Sequence, residues 1–337
     1  MRWQRLLFVG LAAILCAGLA GCATAGDRFY YLGYEIIQVI DGDTDAIVAD
    51  IPITGASREA ALSADRKFLY VATNRHLVHT VDLAENRVVA TTDVSNDGWD
   101  RVMFGFVLDP DGKTAYGGFM SRRTAGGEVV IGGPVVAQFE LETGKLLRSV
   151  EVPWGVAHLV SVRGGTTLYA FAQDLYKIDT TGHDLKITET TPMFDRKMNI
   201  LPFWDYAFDN GGMASMNYYT PEFMGLMLVD QKTGEISEIP LKGDPVMAYS
   251  VVLSPDRKLA YAVMDELTVI DLVGKTYRES IPIAEGTCYA VNVSGDGKKI
   301  YVGGGGSTLT VYDAKTLKAL KVLQMASDGM DIRRVSF

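Results

Sequence analysis

The chain repeats one short phrase along most of its length. "LSADRKFLYVAT" stands at 62–73, "LDPDGKTAYGGF" at 108–119, "LSPDRKLAYAVM" at 253–264 and "VSGDGKKIYVGG" at 293–304. Looser copies read "VRGGTTLYAFAQ" at 162–173 and "FDNGGMASMNYY" at 208–219. In each, a turn built on Ser, Asp and Gly feeds a strand of alternating bulky and small apolar residues. About ten residues later comes a second phrase, an apolar strand ending in an acid and a tight hairpin. Its acids are Asp41, Asp82, Glu140, Asp179, Asp230, Asp271 and Asp313, spaced 39 to 58 residues apart. Self-similarity at roughly 40–50 residues is the mark of stacked four-stranded units, and it constrains the fold before any single residue does.

Seven hairpins predict seven blades. The first hairpin is preceded only by "FYYLGYEIIQV", and the last is followed by "DIRRVSF", a strand with no other place to pair. The expected fold is all-β, a seven-bladed β-propeller over residues 29–337. The C-terminal strand would close the ring by pairing into the N-terminal blade, which removes the exposed edges that invite aggregation.

The start, "MRWQRLLFVGLAAILCAGLAGCATAG", reads differently. Arg2 and Arg5 precede an apolar run from Leu6 to Ala20, too short for a bilayer span and suited to a secretory leader. It ends in "LAGC", which resembles a bacterial lipobox. The expectation is a lipoprotein signal peptide at 1–21, lipidation of Cys22, and a short tether at 22–28. That places the protein in the periplasm, anchored by lipid to a membrane. Ala23 after the acceptor cysteine favours the outer membrane.

The formal charge is −9, which argues against a nucleic-acid partner, since phosphate binding needs a basic stripe. Beyond Cys16 and Cys22 the only cysteine is Cys288, so no internal disulfide is expected, and there is no C-x-x-C-H for haem attachment. "DGDTD" at 41–45 and "GGGG" at 303–306 mimic a calcium loop and a phosphate cradle, but both sit where turns are due. His76 and His79 point to opposite faces of a strand, which is poor for one metal. No catalytic set and no metal site can be assembled from spacing.

One pattern stands out against this background. Five residues before each turn unit lie Arg58, Phe104, His158, Trp204, Tyr249 and Tyr289. By topology each is near the start of an innermost strand, beside the mouth of the central channel. Trp99, Trp154, Phe203 and Tyr206 belong to the same loops. Such side chains can plug the channel, or they can dock a partner, because Trp, Tyr, Phe and Arg are the enriched anchors of interfaces.

The stretch "CYAVNVSGDGKKIYVGGGGSTLTVYDAKTL" at 288–317 resembles the last blade of the β subunit of quinohemoprotein amine dehydrogenase, within the YVTN-like propellers. "LYAFAQDLYKID" at 168–179, "WDYAFDNGGMASMNYYTP" at 204–221 and the long 108–145 blade are similar to that subunit too. The resemblance implies one chain of a periplasmic heterotrimer. In it a two-haem α subunit with c-type haem passes electrons onward. A small γ subunit carries cysteine tryptophylquinone and oxidises primary amines to aldehyde and ammonia. The propeller would hold the γ subunit, and since the family's catalytic base lies on that γ chain, no catalytic residue carries over here. Two other classes stay open: a lipid-anchored binding or scaffold propeller, and an autonomous lactonase-type propeller enzyme with a carboxylate-bound metal in its channel.

Overall fold

The repeated phrases become two kinds of turn, seen in a computed structural model that describes residues 26–153, 155–201 and 206–337. In the first kind the serine side chain organises the backbone. Ser63 Oγ donates to Asp65 Oδ1 at 2.7 Å and accepts from the amides of Lys67 and Phe68 at 3.1 and 3.0 Å. Ser254 with Asp256, and Ser294 with Asp296, repeat the arrangement. The residue after the aspartate is left-handed in each copy, as Arg66, Gly112, Arg257 or Gly297. In the second kind, the acid that ends an apolar strand accepts the amides of the hairpin. Asp230 Oδ1 takes those of Lys232 and Thr233 at 2.8 and 2.9 Å, and Asp82, Asp271 and Asp313 do the same.

These turns connect antiparallel strands, with no helix among the described residues. The first nine strands are β1 (Asp27–Asp41), β2 (Ala46–Leu62), β3 (Phe68–Thr73), β4 (Leu77–Asp82), β5 (Arg87–Asp93), β6 (Asp100–Leu108), β7 (Thr114–Ala125), β8 (Glu128–Glu140) and β9 (Leu146–Glu151). β6 to β9 form one four-stranded meander, and four more span 158–191, 199–240, 250–282 and 290–324. The remaining sheet has six strands: the C-terminal strand Gly329–Ser336, then β1 to β5 in order.

The six-stranded sheet is folded on itself. The first half of β1 pairs with the C-terminal strand, from Asp27↔Ser336 to Gly33↔Gly329, and its second half pairs with the start of β2, from Tyr34↔Ala56 to Asp41↔Ala46. A straight strand of this length would span about 50 Å at 3.3 Å per residue. Instead the Gly42 amide donates to the Asp27 carbonyl at 2.9 Å, so the chain reverses near Glu35, whose φ is 60°. β2 also changes partners, its end from Ser57 to Leu62 pairing with β3, and it bends at Gly55 with φ of 87°. Tyr30, Leu32, Ile37, Val39 and Ile51 from the first part of this sheet face Leu69, Val71 and Val81 from the second across one buried cluster.

Adjacent sheets share apolar clusters of the same kind. Phe29, Tyr31 and Ile40 meet Tyr301, Leu309 and Val311, and Val252, Tyr261 and Val263 meet Val291, Ile300 and Val302. The innermost strands touch in sequence around an axis: the C-terminal strand against β2 and against Ala290–Val293, β2 against β6, and β6 against His158–Val162. The architecture is a β-propeller, and its last strand is paired with its first. Asp27 and Arg28 are already in β1, paired with Ser336 and Val335, so the expected tether ends sooner than residue 28. The leader and Cys22 lie outside the described residues.

Candidate binding face and the channel beneath it

Each meander brings its entry loop and its middle turn to one face, called here the upper face, and sends the Ser/Asp turns and acid-ended hairpins to the lower face. Asn74 on a middle turn and Ala56, where β2 passes from pairing with β1 to pairing with β3, meet there, the Ala56 amide donating to Asn74 Oδ1 at 3.0 Å. The sequence-expected residues sit at these entries. Tyr249 and Tyr289 immediately precede the innermost strands Ser250–Leu253 and Ala290–Val293. Their half-buried rings pair with centroids 4.9 Å apart and planes tilted by 39°. Phe104 lies within β6, half-buried, with the Arg75 guanidinium 4.1 Å from its ring centroid. Burial lowers the pKa of Arg75, Arg58 lowers it further, and Glu59 opposes both. Glu59 in turn accepts the Gly105 amide at 2.8 Å. Arg58, Glu59, Arg75 and Phe104 therefore form one group, and Tyr249 with Tyr289 a second. His158 faces inward, buried, its Nε2 2.8 Å from the Leu201 carbonyl. Trp204, with Trp154 and Phe203, lies outside the described residues.

Phe104 also lines an apolar socket of about 340 Å³, with Phe119, Met120, Pro134 and Val156. Gly118 keeps the socket open, because a Cβ there would lie 2.6 Å from Val156. Around the same face Tyr34, next to the reversal in β1, is exposed, as are Phe194 and Met247 on loops. A larger cavity of about 810 Å³ opens on the lower face, lined by Asp27, Arg28, Asp43, Arg66 and Phe337.

A buried ionic cluster joins the C-terminal strand to β2, to Ala290–Val293 and to Asp209. Arg333, from the C-terminal strand, has Nη1 3.5 Å from Asp209 Oδ2 and Nε 3.3 Å from Asp331 Oδ2. Its Nη2 donates to the Ala60 carbonyl at 3.2 Å, and its guanidinium lies 4.5 Å from the Phe208 ring and 5.0 Å from that of Tyr206. Asn292 Nδ2 and the Arg334 amide both donate to Asp209 Oδ1. Burial pushes the Asp209 carboxyl upward against the pull of Arg333, and burial, then Asp331, raises the Tyr206 hydroxyl well above its ordinary value. Tyr206 belongs to the aromatic loops at the mouth, yet it is fully buried here. Residue-by-residue reading of the sequence missed Asp209, Asp331 and Arg333. The signal was "DIRR" in a strand assigned to the innermost position, where burial leaves charges to find partners among themselves.

The remaining features are structural. His79 is buried, with Nε2 3.1 Å from both Thr73 Oγ1 and the Thr54 carbonyl, and Nδ1 2.9 Å from Thr91 Oγ1; burial lowers its pKa and keeps it neutral. His76 meets Asp93 at 3.1 Å. Asp41 holds its own turn through Thr44, while Asp45 binds Lys299 Nζ at 2.7 Å and Tyr301 hydroxyl at 2.6 Å. Gly304 and Gly305 are left-handed, and a Cβ on Gly305 would lie 2.2 Å from the Thr287 carbonyl. The Cys288 thiol is buried and pushed up to about 12, which makes it a poor nucleophile. No group of three or more metal-ligating side chains occurs among the described residues.

No family model and no curated protein matches the sequence. Solved structures do match in shape. AztD from Citrobacter koseri superposes with a TM-score of 0.58 at 14% identity, covering 93% of this chain and 99% of that one. Hydrazine synthase from Kuenenia stuttgartiensis gives 0.56 at 16% identity over 87% and 90% of the two chains. Dihydro-heme d1 dehydrogenase NirN, solved in complex with DHE, gives 0.57 at 15% identity over 92% and 75%. At these identities the likeness is one of fold.

Proposed function

We propose that this chain is the seven-bladed propeller subunit of a periplasmic quinohemoprotein amine dehydrogenase, a non-catalytic platform that holds the quinone-bearing small subunit on its upper face. Support for seven blades comes from the six-stranded sheet, whose two halves face each other across an apolar cluster as separate blades do. Counted that way, the C-terminal strand, the two halves of β1 and the start of β2 form one blade, and the end of β2 with β3 to β5 forms the next. The blade-by-blade resemblance to the amine dehydrogenase β subunit supports the family reading. A structural neighbour is itself a dehydrogenase, acting within a different named chemistry.

The observation that carries the docking role is the upper face itself. Phe104 lines an apolar socket, Tyr249 and Tyr289 pair their rings at the entries of two innermost strands, and Tyr34, Phe194 and Met247 are exposed apolar side chains on the same side. Aromatic anchors in sockets inside a wider apolar rim are how interface energy is concentrated. The partners in this reading are the two-haem α subunit and the small γ subunit, which carry the c-type haem and the cysteine tryptophylquinone. Lipid at Cys22 would tether the assembly to the membrane.

The test is affinity purification of the tagged chain from membranes of its own host. The expected result is co-purification of a haem-bearing polypeptide and a small polypeptide that stains for quinone, with dye reduction dependent on a primary amine. Recovery of the chain with neither chromophore would refute the assignment.

A further inference from the structure

The β6–β9 sheet carries an arm that the other sheets lack. β7 and β8 continue together to the pair Ala125↔Glu128, beyond the point where their neighbours stop. β6 pairs with β7 only as far as Asp100↔Arg122. The β8–β9 ladder ends at Val135↔Glu151, and its last bond runs from the Val152 amide to the Pro134 carbonyl at 3.1 Å. From Glu128 to Gly133, therefore, β8 is paired on its β7 side alone among the described residues.

The arm is braced while this edge stays open. The Arg123 guanidinium lies 4.6 Å from the Trp99 ring centroid, Arg122 Nε donates to Asp100 at 2.7 Å, and a Cβ on Gly132 would touch Trp99 at 3.5 Å. The open edge reads "EVVIGG" and exposes Val129 by 65%, Val130 by 37% and Ile131 by 60%. Proteins usually protect such an edge with lysine, proline or a covering loop. Here, among the described residues, the one guard is Pro134 at the base. Two exposed carboxylates bracket the edge, Glu128 at the tip and Glu151 where β9 ends, and neither has an ion pair among the described residues.

We propose that the β8 edge receives, by main-chain pairing, an extended strand of a partner polypeptide with an apolar middle and Lys or Arg at both ends. A strand laid there runs in line with β9, so one end lies near Glu151 and the other abreast of Glu128. The open backbone supplies affinity, the exposed valines and isoleucine select alternate apolar side chains, and the two carboxylates select the flanking charge. About five residues of partner fill the gap at 3.3 Å each. This site is separate from the channel mouth and does not depend on the quinone-bearing partner.

The test uses the folded chain without its leader and two fluorescein-labelled probes of alternating valine and threonine, one capped at both ends by lysine and the other by glutamate. Fluorescence anisotropy should show the lysine-capped probe binding about ten-fold tighter or more. E128K combined with E151K should reverse that preference, and I131K should weaken both probes about ten-fold with an unchanged melting temperature. Equal affinity for the two probes, or binding indifferent to these substitutions, overturns the proposal. A dimer in sedimentation that I131K abolishes and the lysine-capped probe does not compete would also overturn it, by assigning the edge to a second copy.

Discussion

Arg66 and Arg257 hold backbone conformations that the parallel turns give to Gly112 and Gly297, with φ of 58° and 57°. A left-handed L-residue costs about 1–2 kcal/mol, and each arginine recovers part of this through an exposed bond, Arg66 to the Ser336 carbonyl at 2.9 Å and Arg257 to that of Asn210 at 3.2 Å. R66G and R257G should each therefore raise stability by about 0.5–1 kcal/mol in urea melts. Gly112 has open space around its absent side chain, so G112A should lower stability through φ alone. The turn aspartates set the acid limit. Hydrogen bonds from turn amides and hydroxyls hold Asp41, Asp179, Asp230, Asp271 and Asp313 below the ordinary carboxylate range, and the Lys298 and Ser294 bonds take Asp296 to about 2. A carboxyl depressed in the folded state contributes stability above its unfolded pKa near 4 and loses it as pH falls through the folded value. His79, kept neutral by burial, adds a gentler loss below about 6.5, where the unfolded imidazole takes up a proton. Melting temperature should fall shallowly from pH 7 to 5 and steeply between about 4 and 2. D296N and D313N should flatten the steep limb. At the buried cluster, R333M should cost about 3–5 kcal/mol by leaving Asp209 and Asp331 without their guanidinium. D209N placed on R333M should restore part of that loss, and additive effects would mean the two side chains are not coupled.

At the scale of strands and turns, local chemistry was readable and long-range chemistry was not. The Ser/Asp turns, the acid-ended hairpins and the C-terminal strand could be read because each is settled within a few residues of sequence. The reversal at Glu35 was invisible, because no Gly-Asp pair marks it and its stability comes from Ser327 and Asp328, whose side chain and carbonyl take the Tyr34 amide. Asp209 was hidden by its setting in "FDNGG", where it looks like one more turn aspartate; the charges that bury it arrive 124 residues later. The entry aromatics were legible as a set, and the structure sorts them by surroundings. F104A, Y249A and Y289A should weaken assembly with the partner by roughly 30-fold, about 2 kcal/mol each, while melting temperature changes little. W204A belongs in the same series. Co-purification and thermal melts on the four variants decide the matter: lost stability with intact assembly would mean that they only fill the channel.

For the molecule as a whole, the geometry separates the proposed lipid site from the proposed binding face. β1 begins at Asp27 on the lower face, bonded to the Gly295 amide, and Cys22 precedes it by five residues. If Cys22 carries lipid, as proposed, a tether that short would keep the lower turns at the membrane and turn the upper face away from it. C22S should move the protein from the membrane fraction to the soluble one, or leave an unprocessed precursor; unchanged attachment and processing would rule out lipid at this position.

The C-terminal strand supplies both the strand that pairs with the first half of β1 and the Arg333 guanidinium that reaches the Asp209 and Asp331 carboxylates. Its Ser336 lies 309 positions from the Asp27 it bonds. Until those eight residues pair, β1 keeps an open edge and the Asp209 carboxylate lacks its counter-charge, so the fold cannot settle into its final state. Closing the ring is thus a contact between the most distant parts of the described sequence, and the rest of the propeller has to be in place before it can lock.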